Sequence, residues 1–286
     1  MAQKKPELRR SQMVFTYGPG AIVDLRTPKG NSVSSIMRSL DDWNATALKA
    51  YYGVFAQKLV LDRLKNLINE KYGFDINDFR WPPVEGIHTQ DQQQLYLDSI
   101  RFPRWLTCPK CNALKKKWNR PMGITDRFCD SCSNVAVVPT RFVINCDNGH
   151  INDFDYDYWL YVRGRDGKPE GCETRTEPSG SQIMYHPKLK LNQGKSLSLS
   201  SMTVNCTDCG RWAGMAGIFE KDVFEQLGKM CDGIKAWTEK KDECYLYPTV
   251  QQRSSRAIYF PTHESALDIP PYNDLPNKMG IHWGTI

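Results

Sequence analysis

Two cysteine pairs, Cys108-Pro-Lys-Cys111 and Cys129-Asp-Ser-Cys132, stand seventeen residues apart. Each CxxC turn folds back so that both sulfurs face one point, and two such turns supply the four thiolates that a tetrahedral Zn²⁺ accepts. A set closed by four sulfurs leaves no position for water. The chemistry expected here is therefore structural, with a redox dithiol as the alternative for such spacing.

Further along, Cys206-Thr-Asp-Cys209 is another CxxC, followed by Gly210; Cys231 comes after 21 residues and Cys244 after 12 more. These four are expected to form a second structural zinc site, against the alternative of small buried thiols. Cys146 and His150 of a CxxxH, with Cys172, remain. The reading adopted is a satisfied core histidine with two buried thiols. The alternative is a third zinc with an open coordination position, and an exchange of ligands among these late motifs is left open.

The elements that must position these ligands follow from punctuation and period. Gly18-Pro-Gly20 marks a turn, and Ala21 to Leu25 reads as a short strand. Leu48, Tyr52, Phe55, Leu59, Val60, Leu64, Leu67 and Ile68 recur at helical spacing, which predicts a helical segment from about Asp42 to Tyr72, weakened at Gly53 and stopped by Gly73. Val135–Pro139 and Arg141–Ile144 read as strands leaving the first cysteine module, and the alternation from Leu197 to Val204 as a strand entering the second. The fold class expected is α+β, with an N-terminal helical unit and a strand-rich body carrying two four-cysteine zinc-ribbon-like modules. The domains are drawn at 1–100 (turn, strand and helical unit), 101–145 (first zinc module) and 146–286 (strand-rich domain with the second module).

Length and composition set bounds. A chain of 286 residues has room for about two domains. No run approaches the ~20 apolar residues of a membrane span. The charged N-terminus lacks the apolar core of a secretory signal, so ten cysteines point to metal in a reducing, cytoplasmic setting rather than to disulfides. The formal charge of +6 counts every cysteine as neutral, and two four-thiolate zinc sites would lower it to about +2. Nucleic-acid affinity must then come from a local patch. Arg104, Lys110, Lys115, Lys116, Lys117 and Arg120 crowd the first module, interleaved with Trp105 and Trp118. They are candidates for gripping phosphates and stacking bases, or for balancing thiolate charge.

Catalytic motifs are weak. Gly194-Lys-Ser196 lacks the upstream glycine and the following helix of a phosphate loop. No histidine stands in the frame of a zinc deaminase. Asp153, Asp155 and Asp157 alternate as metal-nuclease carboxylates sometimes do, but an acidic turn accounts for them equally.

Several stretches resemble the DrmB family, the helicase-associated subunit of the bacterial DISARM anti-phage defence system. They include Arg10-Ser-Gln12, Thr16 to Leu25, Arg101 to Cys111 and Arg141 to His150. The rest are Cys231 to Trp237, Gln252 to Pro261 and Ser265 to Pro271. The chain departs from the family at Asp153-Phe-Asp-Tyr156 and at Arg253 to Ala257, and it stops at Ile286 where such proteins continue. The resemblance implies a non-catalytic adaptor bound to a superfamily-2 helicase or translocase (a DrmA-like subunit), reaching DNA through that complex. Against the longer family pattern the chain reads either as a short form or as one whose remaining half a second chain supplies; no membrane partner is expected. The alternative function is a metal-dependent nuclease using Cys146, His150 and Cys172 or the three aspartates.

Overall fold

The computed structural model describes residues 10–26, 32–39, 58–80, 99–116, 128–164, 171–176, 180–194, 196 and 198–267. It divides into two units, Met1–Asp42 with Asp98–Phe260, and Trp43–Leu97 with Pro261–Ile286. The expected boundary at 145/146 falls inside the first unit, because strands from both sides of it share sheets.

Three sheets build the first unit. After the helix Arg10–Phe15, strand Ile22–Arg26 pairs antiparallel with Ser32–Met37, which pairs in turn with Ser99–Arg101. The strand expected after Gly-Pro-Gly is thus present, and Gly20 holds the left-handed φ of 85° that its turn requires. A six-stranded antiparallel sheet runs in the order Trp212–Gly214, Thr203–Cys206, Leu189–Asn192, Ala113–Lys116, Trp105–Thr107, Val138–Pro139. A five-stranded sheet runs Lys240–Lys241, Ile234–Lys235, Ile151–Asp153, Phe142–Asn145, Thr249–Gln252, with one parallel pairing, Ile151 to Lys235. A hairpin of Glu173–Thr176 and Gln182–Tyr185 stands beside them in sequence. The α+β class follows from this content: many short strands and few helices.

Alternation decides which faces are buried. Leu189 and Leu191 point inward while Lys190 and Asn192 do not, and Val204 and Cys206 repeat the pattern on the neighbouring strand. Against this face packs the helix Tyr156–Arg163, burying Tyr156, Trp159 and Leu160. Its ends are satisfied by side chains. Asp155 accepts from the N–H groups of Asp157 and Tyr158, and the buried Arg211 donates to the carbonyls of Leu160 and Tyr161. The Trp159 indole donates to the Gly214 carbonyl at 3.0 Å. Phe154 meets Tyr156 edge-on at 4.9 Å. A second core, built on Ile36, Phe102, Val143, Ile151 and Ala236, gathers Ile22, Trp237 and Ile258.

The Leu197–Val204 strand is corrected in its first half. Leu197 lies outside the described residues, Leu199–Ser201 forms a short 3₁₀ turn, and the strand begins only at Thr203. Serine chemistry explains this. Ser198 Oγ accepts from the Ser200 N–H, and Ser201 Oγ donates to the carbonyls of Ser196 and Ser198, so local bonds displace the ladder.

In the second unit the helix spans Asp62–Tyr72. Residues 42–57 of the expected helix lie outside the described set. Leu59 belongs instead to a two-residue strand, Lys58–Leu59, paired with Phe79–Arg80. The expected stop is realised: Gly73 is left-handed at φ 65° and donates to the Asn69 carbonyl. Asn69 then bonds both backbone groups of Ile76, and Glu264 accepts from Lys71 and Tyr72 at 2.5 Å.

One buried ion pair joins the six- and five-stranded sheets. Arg104, just before Trp105, donates its backbone N–H and its Nε to the two oxygens of Asp153, at 2.7 and 2.6 Å, and reaches Asn152 with its guanidinium. The Asp153 side chain is 2% exposed. Replacing Arg104 leaves a buried carboxylate uncompensated. Arg104→Met is expected to cost about 3 kcal/mol, read as a lower urea midpoint; an unchanged midpoint would remove this pair from the forces joining the sheets.

Candidate metal centres

The structure brings the cysteines into three groups, in each of which the candidate ligand atoms all lie within 4.8 Å of one another. The first is Cys108, Cys111, Cys129 and Cys132, the set expected from sequence. Cys108 follows one strand of a hairpin, Trp105–Thr107, and Cys111 precedes the next, Ala113–Lys116. The turn closes by Cys108 N–H to the Ala113 carbonyl and Asn112 N–H to the Cys108 carbonyl, both 2.9 Å. Asn112 takes the left-handed conformation that this reversal demands. The Lys110 N–H points at Cys108 Sγ, 3.4 Å away. The second knuckle repeats the device with Cys129 N–H on the Val135 carbonyl, and Val138–Pro139 then pairs with Leu106 and Thr107. That pairing lays one knuckle against the other, with Cys111 and Cys129 sulfurs 3.6 Å apart.

The expected second site does not form as drawn. Cys231 and Cys244 lie with Cys146 and His150, whereas Cys206 and Cys209 lie with Cys172. Sheet membership is the reason. Cys206 ends a strand of the six-stranded sheet, while Ile234–Lys235, next to Cys231, pairs with Ile151–Asp153 in the five-stranded one. The reading of His150 as a satisfied core histidine is corrected with it: His150 is buried as expected, but inside a ligand cluster.

In this group Cys146 and His150 occupy the reversal between Phe142–Asn145 and Ile151–Asp153. Gly149 is left-handed there and donates to the Cys146 carbonyl. His150 Nδ1 faces Cys146 Sγ at 3.4 Å, and Cys146 Sγ faces Cys244 Sγ at 3.9 Å. On its far side His150 turns Nε2 toward Asp242, 3.7 Å away, and Asp242 is itself paired with Lys235. A histidine with one nitrogen toward sulfur and the other toward a carboxylate is arranged as metal-ligating histidines are. Gly233 cannot be replaced here: at φ 69° its Cβ would run into the Asp242 carbonyl.

The third group delivers Cys172 from the start of the Glu173–Tyr185 hairpin and Cys206 and Cys209 from a knuckle closed by left-handed Gly210. Cys172 and Cys206 sulfurs are 3.3 Å apart.

These separations test the donor chemistry. Zinc–sulfur bonds of about 2.3 Å in a tetrahedron place neighbouring sulfurs about 3.8 Å apart, whereas a disulfide needs about 2 Å. All ten cysteines are free thiols, spaced for a shared cation and not for a covalent bond. Electrostatics point the same way. Burial opposes ionisation of Cys129, yet N–H donation from Ser131 and Cys132 and the adjoining thiols draw it down to about 7. Cys132, hydrogen-bonded to Cys111 and partly desolvated, is pushed up to about 12. In the second group the Leu246 N–H draws Cys244 down to about 7, and burial pushes Cys231 up to about 12. In the third, burial raises Cys172; Cys209 falls despite burial, through the Arg211 N–H, the other two thiols and the field of His186. Sulfurs this close cannot all ionise together unless a cation sits among them.

The remaining sequence candidates are placed as follows. Arg104 is held by Asp153 rather than offered to solvent. Lys110 is exposed, Lys115 pairs with Asp130, and Lys116 lies over the Trp105 ring at 5.7 Å. Trp105 is 6% exposed and belongs to the core, which corrects its reading as a base-stacking residue. Lys117, Trp118 and Arg120 lie outside the described residues. The three aspartates do not converge: Asp153 binds Arg104, Asp155 caps a helix, and Asp157 accepts from His186. No helix among the described residues is long and apolar enough to cross a membrane.

The chain belongs to the family whose model is described as a domain of unknown function (DUF8724), which matches residues 9–260. It is also similar to the DISARM protein DrmB of Bacillus paralicheniformis, 28% identical over 196 residues. That alignment takes in 64% of this chain and 30% of the relative, so the chain spans less than a third of that protein's length.

The regrouping is measurable as zinc per chain. Cys146→Ser and Cys244→Ser are expected to remove the same ion, so the double variant loses about one, whereas Cys206→Ser with Cys244→Ser loses about two. Loss of a single ion in that second pair would restore the grouping read from spacing.

Proposed function

We propose that this chain is a non-catalytic, zinc-stabilised subunit of a DISARM-type bacterial defence complex. It docks on a superfamily-2 helicase or translocase. The observation that carries this reading is the similarity to DrmB over 64% of the chain. The quoted motif residues also meet in space. Gly20 lies against the Trp237 ring, and the Tyr259 hydroxyl meets the backbone of Gly18. Arg253 pairs with Asp24 and donates to Ser34 Oγ at 2.7 Å. These residues form a frame, not a reaction centre.

Zinc is the metal that free cysteines and histidine at these separations suit. The first two groups are four-ligand sets, which hold a fold and leave no position for water. The engaged state of Asp153, Asp155 and Asp157 further favours a scaffold over a nuclease. Among the described residues, the surface that this reading assigns to DNA is the first knuckle, through Lys110 and Lys115 rather than through Arg104. With ten thiolates and three dications the net charge is about +2, so contact with phosphate would be local and salt-sensitive.

The test is capture of the tagged chain from its own host, with co-purifying proteins identified by mass spectrometry, and a nuclease assay on the pure chain. A helicase recovered in near-equal amount, and no DNA cleavage with Mg²⁺ or Mn²⁺, is the expected result. A chain that comes out alone and cuts DNA when either ion is added would overturn the proposal.

A further inference from the structure

We propose that Cys172, Cys206 and Cys209 hold a metal ion together with His186, whose Nε2 supplies the fourth ligand and makes this a closed three-cysteine, one-histidine site. The proposal rests on the metal reading given above. The three sulfurs lie within 4.8 Å of one another, and His186 stands outside that distance. Its assignment comes from three independent placements.

Chain topology is the first. The Cys172 N–H donates to the Tyr185 carbonyl at 3.0 Å, so His186 directly follows the strand that pairs with the one Cys172 leads into. Two residues further, the Lys188 carbonyl accepts from the Thr207 N–H and hydroxyl, and Leu189 pairs with Cys206. His186 therefore stands between the backbone pairing that delivers the first sulfur and the pairing that delivers the other two.

The second is the state of the ring. The His186 side chain is 0% exposed. Asp157 accepts from its Nδ1 at 2.9 Å and from its backbone N–H at 3.0 Å, which fixes both the ring and the residue. A carboxylate on Nδ1 keeps the proton there and leaves Nε2 as the basic nitrogen, the tautomer that a metal ligand needs. Asp157 is itself placed, in the first turn of a helix capped by Asp155. His150 shows the mirror arrangement, Nδ1 toward sulfur and Nε2 toward Asp242.

The third is electrostatic. Three thiolates carry one charge more than a divalent ion neutralises, and a neutral imidazole completes the tetrahedron without adding another.

Zinc per chain, counted after gel filtration and a fixed exposure to EDTA, tests the assignment. The wild-type chain is expected to keep about three ions, His186→Ala about two, and His186→Cys about three again because a thiolate can replace the imidazole. Asp157→Asn is expected to release the third ion roughly tenfold faster. Three resistant ions in His186→Ala, or only two in His186→Cys, would overturn the assignment. If His186→Ala is insoluble, the His186→Cys count decides. A wild-type chain without zinc would overturn the underlying metal reading as well, a result distinct from either of the others.

Discussion

The constraint on which the rest depends is mutual repulsion among sulfurs. Ten thiols in three compact groups cannot be ionised together in a protein interior, and Cys132, hydrogen-bonded to Cys111 and crowded by Cys108 and Cys129, is pushed up to about 12. A cation shared within each group would relieve the repulsion and turn it into cross-linking. What is joined matters. Cys146 and Cys244 are 98 positions apart in the chain, and Cys172 and Cys206 are 34 apart. Short strands of two to six residues make weak sheets on their own. Ligand groups that tie hairpin reversals together supply what the ladders lack.

The knuckles and sheets are built by the same local rules. Each reversal that presents ligands contains a residue in left-handed conformation: Asn112, Ser133 and Asn134 in the first group, Gly149 and Gly233 in the second, Gly210 in the third. At Gly233 the neighbouring Asp242 carbonyl leaves no room for a Cβ, so glycine is required twice, by conformation and by space. Cys206 belongs to the core that contains Trp105, Phe154, Tyr156 and Trp159, and Cys172 and Cys209 pack against it. Arg104 and Asp153 couple the sheet of the first and third groups to the sheet of the second. A basic residue that spacing suggested for DNA and an acidic one suggested for catalysis thus meet as a structural pair.

Much of this was legible in the sequence, and the rest was lost for identifiable reasons. Local signals read well: the Gly-Pro-Gly turn with its strand, the helix stop at Gly73, and the first four-cysteine group, whose ligands lie close in the chain. The serine-rich stretch misled because side-chain bonds from Ser198 and Ser201 compete with a strand that hydrophobic alternation suggested. The later cysteines misled because spacing counts residues along the chain, while partners are chosen by strand pairing. Ile151 opposite Lys235 sends Cys231 and Cys244 to His150, and Leu189 opposite Cys206 keeps Cys206 and Cys209 with Cys172. A usable clue was present in the chain: Cys146-x₃-His150 is itself a two-ligand reversal, and counting it as one would have asked for a second pair.

In the proposed reading the three cysteine groups are architecture, and the likeness to DrmB gives that architecture a setting. The central claim is the three-way grouping of ligands, and anomalous diffraction from crystals at the zinc absorption edge tests it most directly. The account predicts three peaks per chain: among Cys108, Cys111, Cys129 and Cys132; among Cys146, His150, Cys231 and Cys244; and beside Cys172, Cys206 and Cys209. A single peak joining Cys206 and Cys209 to Cys231 and Cys244, or no peak at all, would contradict it.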